Sequence, residues 1–241
     1  MRSPPFLVIR YKTLLMQRLL DSVRHGYHRY TAGTVPAVRA LALCAKFDKR
    51  YGVALNVNQR NYRKKQGLGN ARLLLADLDK NGTLHWFLLV SAGAHAANEM
   101  ERLHDALNRG SRIRVTGYEL LELTREKNKG GGVRLTWRMT DEAFRTWHHS
   151  IRAVMRASRA AEDVAELVRS LYQTPGFGAT RVQVGKLVAF LRGEWIRAGR
   201  DLKDLSLPGN LPYVRRIADQ PYVVTDWLRE QEKQPDEHAT V

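Results

Sequence analysis

The chain has 241 residues, of which 44% are apolar and 27% charged, with a net charge of +16 and a single cysteine. That much Leu, Val, Trp and Phe excludes a chain disordered throughout, and one cysteine, Cys44, excludes an internal disulfide framework or a cysteine-based zinc site. No stretch approaches the roughly 18 apolar residues of a membrane span, and Arg10, Lys12 and Arg18 interrupt any leader-like run in Met1–Gln17, so a cytoplasmic location without membrane contact is expected.

The charge is segregated. Residues 1–72 carry fifteen Lys or Arg against two acids, Asp21 and Asp48, which is thirteen of the sixteen net positive charges. A segment of this kind meets a polyanion, and each phosphate it neutralises releases a condensed counterion.

In chain order, Leu14, Leu15, Leu19, Leu20 and Val23 follow a helical period over Tyr11–Val23. Gly26 and Gly33 break it. Thr34 then suits an N-cap and Pro36 a first turn, for a helix to Tyr51 lined by Val38, Leu41, Ala42, Ala45 and Phe47. Asn58–Gln66 is a short exposed helix or a loop. The period changes to two over Ala71–Leu78 and Leu84–Ser91, joined by Asp79-Lys80-Asn81-Gly82, a hairpin signal. Asn98–Asn108 reads as helix. Ser111–Val115, Tyr118–Thr124 and Val133–Met139 read as strands, the last two flanking the basic tip Arg125–Gly132. Thr140 caps a helical remainder at 141–157, 161–173 and 179–198, broken at Thr174-Pro175-Gly176; 205–222 is irregular and 231–241 a flexible tail.

The order of helices, small antiparallel sheet and helices is an α+β architecture. It divides as a basic helical segment (1–72), a β-rich scaffold (73–140), a helical part (141–230) and the tail.

Three constellations bear on chemistry. Arg24-His25-Gly26-Tyr27-His28-Arg29-Tyr30 puts two His, two Arg and two Tyr in one hinged segment, a set suited to RNA cleavage without a metal: a base takes the 2′-OH proton and arginine stabilises charge on the phosphate. The same residue types also simply pack, or bind phosphate. Arg60, Tyr62, Arg63, Lys64 and Lys65, with Arg72 beyond two glycines, fit backbone tracking with base stacking, or else a solvated helix face. Lys127, Lys129 and Arg134 around Gly130–Gly132 form either a phosphate-approaching loop or a plain hairpin tip.

Rival sites are weaker. No histidine pair has a carboxylate or thiol nearby in sequence to complete a ligand set, so no metal or other cofactor is expected. Asp77 and Asp79 bracket a turn, which explains them better than two-metal catalysis. His149, Arg152 and Tyr172 match a tyrosine recombinase only faintly, and most tryptophans sit in core-like surroundings. Arg181, Lys186, Arg192 and Arg197 are spaced five, six and five apart along one helix, a secondary candidate for phosphate contact.

Several stretches together resemble proteins of proteobacterial plasmids and integrative elements: HRYTAGTVPA (28–37), Lys46-Phe47, Arg50-Tyr51, Gln59-Arg60, NARL (70–73), TWRMT (136–140), SLYQTPGFGATR (170–181) and Glu194-Trp195. Among these the chain is most similar to the repeat-processing endoribonuclease of type IV CRISPR loci. The resemblance implies a ferredoxin-like (RRM-like) sheet. It also implies metal-independent cleavage of precursor CRISPR RNA beside a repeat hairpin, a 2′,3′-cyclic phosphate end, and retention on the mature guide among other effector subunits. It further implies an arginine-based site, which points first to Arg24 and Arg39, then to His25 and Tyr27. His28 and Arg29 would bind RNA alongside. The competing reading is a non-enzymatic DNA-binding protein of a mobile element; a third is a structural subunit of an RNA–protein complex.

Overall fold

A computed structural model describes residues 6–124, 131–157, 161–220 and 222–233. The α+β architecture is present, with small antiparallel sheets flanked by N-terminal and C-terminal helices. Two compact units emerge, one from Met1–Ile113 with Ile217–Val241, the other from Arg114–Arg216. The charge boundary after residue 72 falls inside the first.

The first unit begins with β1 (Val8–Ile9), α1 (Lys12–Arg24), β2 (Arg29–Pro36) and α2 (Ala37–Tyr51). It continues through α3 (Val57–Lys65), β3 (Ala71–Ala76), β4 (Thr83–Val90), the one-turn α4 (Ala97–Met100) and β5 (His104–Asp105). The strands order as β1-β3-β4-β2-β5, antiparallel except for β1 beside β3.

Alternation along the strands sorts side chains between two faces. On one, Val35, Ala71, Leu75, Leu84, Leu88 and Val90 pack beneath the stripe Ala40, Cys44, Phe47 and Tyr51 of α2, spaced for a single helix face. Burial at this stripe raises the Cys44 thiol to about 11. On the other face lie Arg72, Leu74, Ala76, Phe87 and Leu89, covered by α1 with its buried Leu14, Leu15, Leu19 and Val23. The last helix, α8 (Val224–Lys233), closes the α2 side: Trp227 is fully buried there and its Nε1–H donates to Asp77 Oδ2 at 2.9 Å.

Two expectations fail here for a shared reason. Thr34 does not cap a helix, because Arg29–Pro36 pairs along its whole length with β4 and carries the chain as a strand to Pro36. Asn98–Asn108 is not one helix: after α4 the chain extends at Glu101, pairs His104 and Asp105 with β2, and donates the Ala106 N–H to His28 O. In both stretches sheet pairing overrides local preference. Asp77 accepts from Lys80 N–H and Trp227, and Asp79 meets His85 at 2.7 Å, which places both in the turn.

The second unit is a meander of β6 (Arg114–Val115), β7 (Tyr118–Thr124) and β8 (Val133–Met139), then α5 (Asp141–Ala157), α6 (Ala161–Tyr172) and α7 (Gly178–Arg197). Trp137, Ile151, Leu171, Leu187 and Leu191 form its interior.

Candidate nucleic-acid interface

At one end of the first sheet the C-terminus of α1, the starts of β2 and β3, the end of β4 and helix α3 converge, since Ala71 and Arg29 both pair with Val90. Gly26, at φ 91°, turns the chain out of α1 in a conformation glycine adopts without penalty. Tyr27 N–H then returns to Ser22 O at 3.1 Å, which tucks the Tyr27 ring inward, 8% exposed. Arg72 lies over that ring, its guanidinium 5.4 Å from the centroid, and donates to Ser22 Oγ at 3.2 Å. Tyr27 is therefore a platform for an arginine, not an exposed proton carrier.

Helix α3 buries none of its own residues. A capping box holds its start: Asn56 Oδ1 accepts from Gln59 N–H and Gln59 Oε1 from Asn56 N–H, each at 2.9 Å. Three further bonds dock it. Arg60 Nη2 donates to Val53 O (2.9 Å), Arg63 Nη2 to Gly69 O (2.9 Å), and Asn70 Nδ2 to Arg60 O (3.0 Å). Arg60 and Arg63 thus face inward, leaving Tyr62, Lys64 and Lys65 exposed.

Arg60 and Arg72 are within electrostatic reach of each other. Burial, with the charge of Arg72 as a lesser cause, pulls the Arg60 guanidinium below its ordinary range, and Arg60 Nε is buried without a hydrogen-bond partner. Among the described residues neither arginine pairs with a carboxylate. The two acids of the first 72 residues act elsewhere: Asp21 lies 3.5 Å from Arg18, and Asp48 Oδ1 accepts from Ala54 N–H. In such a half-buried cationic pair, desolvation strengthens both the mutual repulsion and the attraction for an anion.

His25 caps α1, and its Nδ1 lies 2.7 Å from Asp21 O. A carbonyl oxygen only accepts, so Nδ1 carries a proton, and in the neutral ring Nε2 is the acceptor, on an exposed side chain. Arg24 and His28 are exposed beside it, while Arg29 donates to Asn98 Oδ1 at 3.2 Å.

Arg39 does not join them. It lies in the first turn of α2, where Ala37 N–H meets Gly82 O and Pro36 pairs with Thr83. The eight residues of β4, about 24 Å of strand, separate that end of the sheet from the α1 terminus, and the two helices cover opposite faces. The resemblance points to Arg24 and Arg39 together; the strand Arg29–Pro36 carries Arg39 away. Arg134 belongs to the second unit and packs against Gly178, where an added Cβ would lie 2.9 Å from its Nη2. Lys127 and Lys129 fall outside the described residues. The sequence puts Arg60 and Arg72 in one basic stretch but gives no sign that Tyr27, 33 positions before Arg60, joins them.

Among the described residues no helix is long and apolar enough to cross a membrane. Comparison of the chain with family models, with curated proteins and with solved structures finds no match. The resemblance to CRISPR repeat-processing enzymes therefore rests on the stretches quoted above.

Proposed function

We propose that the protein binds a folded RNA through the end of the first unit, with phosphates drawn to Arg60 and Arg72 and the strand flanked by Arg24, His28, Lys64 and Lys65. The observation that carries this reading is the half-buried arginine pair, which has no carboxylate partner among the described residues. Tyr62, 65% exposed on the outer side of α3, supplies a stacking face for an unpaired base. The RNA proposed is a CRISPR-type repeat hairpin, held within a complex with other effector subunits. Fluorescence anisotropy with a labelled repeat hairpin tests this: duplex DNA at equal nucleotide concentration should leave most of the hairpin bound. Displacement of the hairpin by DNA would instead establish the reading as a mobile-element DNA-binding protein.

A second reading, cleavage, is favoured by one specific observation: the exposed acceptor Nε2 of His25 next to Arg24. In that reaction Nε2 takes the 2′-OH proton and the 2′-oxygen attacks phosphorus. The P–O5′ bond breaks, the 5′-oxygen leaves with a proton from water, and a 2′,3′-cyclic phosphate remains. Arg24 stabilises the extra charge on the phosphorane. Arg39 has no part in it. Incubation of repeat RNA in EDTA should give cyclic-phosphate ends, lost in His25→Ala and retained in Arg39→Ala; intact RNA with the wild-type protein would reduce the function to binding.

A further inference from the structure

The second unit carries a separate groove of about 420 Å³, a size suited to a small ligand. One wall is α7, the other the segment around Pro208–Tyr213. Along α7, Arg181, Gly185, Val188 and Arg192 recur at four, three and four residues, which places them on one stripe. Arg181 and Arg192 are eleven residues apart, three turns and about 16 Å along the axis. Lys186 and Arg197 fall off this stripe.

The groove is built rather than incidental. Arg181 Nε donates to Leu211 O at 2.6 Å, and its guanidinium lies 3.7 Å from the centroid of Tyr213. Tyr172 Oη donates to Pro208 O at 2.8 Å. These bonds fasten the facing segment to the helices. Between them, a Cβ added at Gly185 or at Gly209 would meet nothing within 4 Å, so both glycines leave open space. Valines 182, 184 and 188 supply apolar surface, Tyr213 remains 58% exposed, and no carboxylate lines the groove. Arg192 is exposed and has no hydrogen bond or ion pair among the described residues.

We infer that this groove binds one nucleotide, its heterocyclic base set between the valines and the Arg181-backed ring of Tyr213 and its phosphate on Arg192. An aromatic stiffened by a cation, apolar surface with open space beside it, and an uncommitted guanidinium together match a planar base joined to an anion. A free nucleotide and an unpaired nucleotide within a strand share this chemistry. The inference does not depend on the arginine pair of the first unit.

The test is NMR titration of the full chain, following the resonances of Gly185, Val188 and Gly209, with AMP, adenosine, inorganic phosphate and a single-stranded hexanucleotide. AMP or the hexamer should shift these resonances to saturation, and adenosine and phosphate alone should bind at least about tenfold more weakly. The tighter of AMP and the hexamer identifies the source. Arg192→Gln should weaken AMP about tenfold, the usual loss for a charge-assisted phosphate contact, while leaving adenosine unchanged. Gly185→Leu fills the groove with a better helix former and should abolish the shifts without unfolding α7. Resonances that stay still with both AMP and the hexamer, or that move equally in Gly185→Leu, overturn the inference.

Discussion

Arg72 and Arg60 differ in what they can give up. Arg60 spends one nitrogen on Val53 O and hides another, so its removal would also loosen α3, whereas among the described residues the side chain of Arg72 bonds Ser22 Oγ and lies over the Tyr27 ring. Arg72→Gln is therefore the cleaner probe of phosphate binding. Gly33 is a different case. As a glycine it suggests a break between helices, yet it sits in β2 under Trp86, where an added Cβ would come 2.7 Å from Trp86 Cζ2. Gly33→Ala should cost about 1–3 kcal/mol in urea unfolding through overpacking. His95 sets a pH dependence. Its Nδ1 accepts from Ala97 N–H and its Nε2–H donates to Tyr51 O, both at 3.2 Å. Burial, with Arg63 nearby, lowers its pKa below 6.5. The unfolded chain therefore takes up the proton first, and stability falls as pH drops from about 6.5 through the lowered folded value. The loss in Tm between pH 7.5 and pH 5 should be smaller in His95→Gln than in the wild type.

Helix α3 shows what an element can owe to its ends. With no buried residue of its own, it depends on the Asn56–Gln59 capping box and on the bonds from Arg60, Arg63 and Asn70. Asn56→Ala should destabilise it by about 1 kcal/mol. Hydrogen exchange of α3 amides should then rise about fivefold, with weaker RNA binding and little change in global unfolding. The long helices and the β3–β4 and β7–β8 pairs were legible in the sequence because period and turn chemistry agree there. Strand β2 was not. HRYTAGTVP carries two residues that favour turns or helix starts, Gly33 and Pro36, and only pairing with β4 on one side and β5 on the other makes it a strand. The same limit hid the grouping at Tyr27: Arg72 reaches its ring from the start of β3, and Arg60 comes near through the docking of α3.

At the scale of the molecule, the first unit is discontinuous. It is tied together from the far end of the chain: Val8 N–H meets Tyr222 O at 2.7 Å, Arg18 of α1 binds Asp219 and Ile217 O, and Trp227 fills the core beside α2. Removal of residues 217–241 should unfold this unit, while residues 114–216 expressed alone should retain a cooperative thermal transition. Trp227→Ala should cost about 3–5 kcal/mol in denaturant melts, a cavity plus a bond lost to Asp77. Nothing in the sequence ties 227 to 77, because pairing across 150 residues leaves no local period. The two acids of the first 72 residues are engaged with Arg18 and Ala54.

The most direct measurement is the salt dependence of repeat-hairpin affinity for the wild type and for Arg72→Gln, with Arg39→Gln as the control from the opposite end of the sheet. Loss of one phosphate contact should reduce the slope of log K against log salt by about 0.7–0.9 for Arg72→Gln and leave it unchanged for Arg39→Gln. Equal slopes for wild type and Arg72→Gln, or a change confined to Arg39→Gln, would contradict the placement of the nucleic acid at the arginine pair.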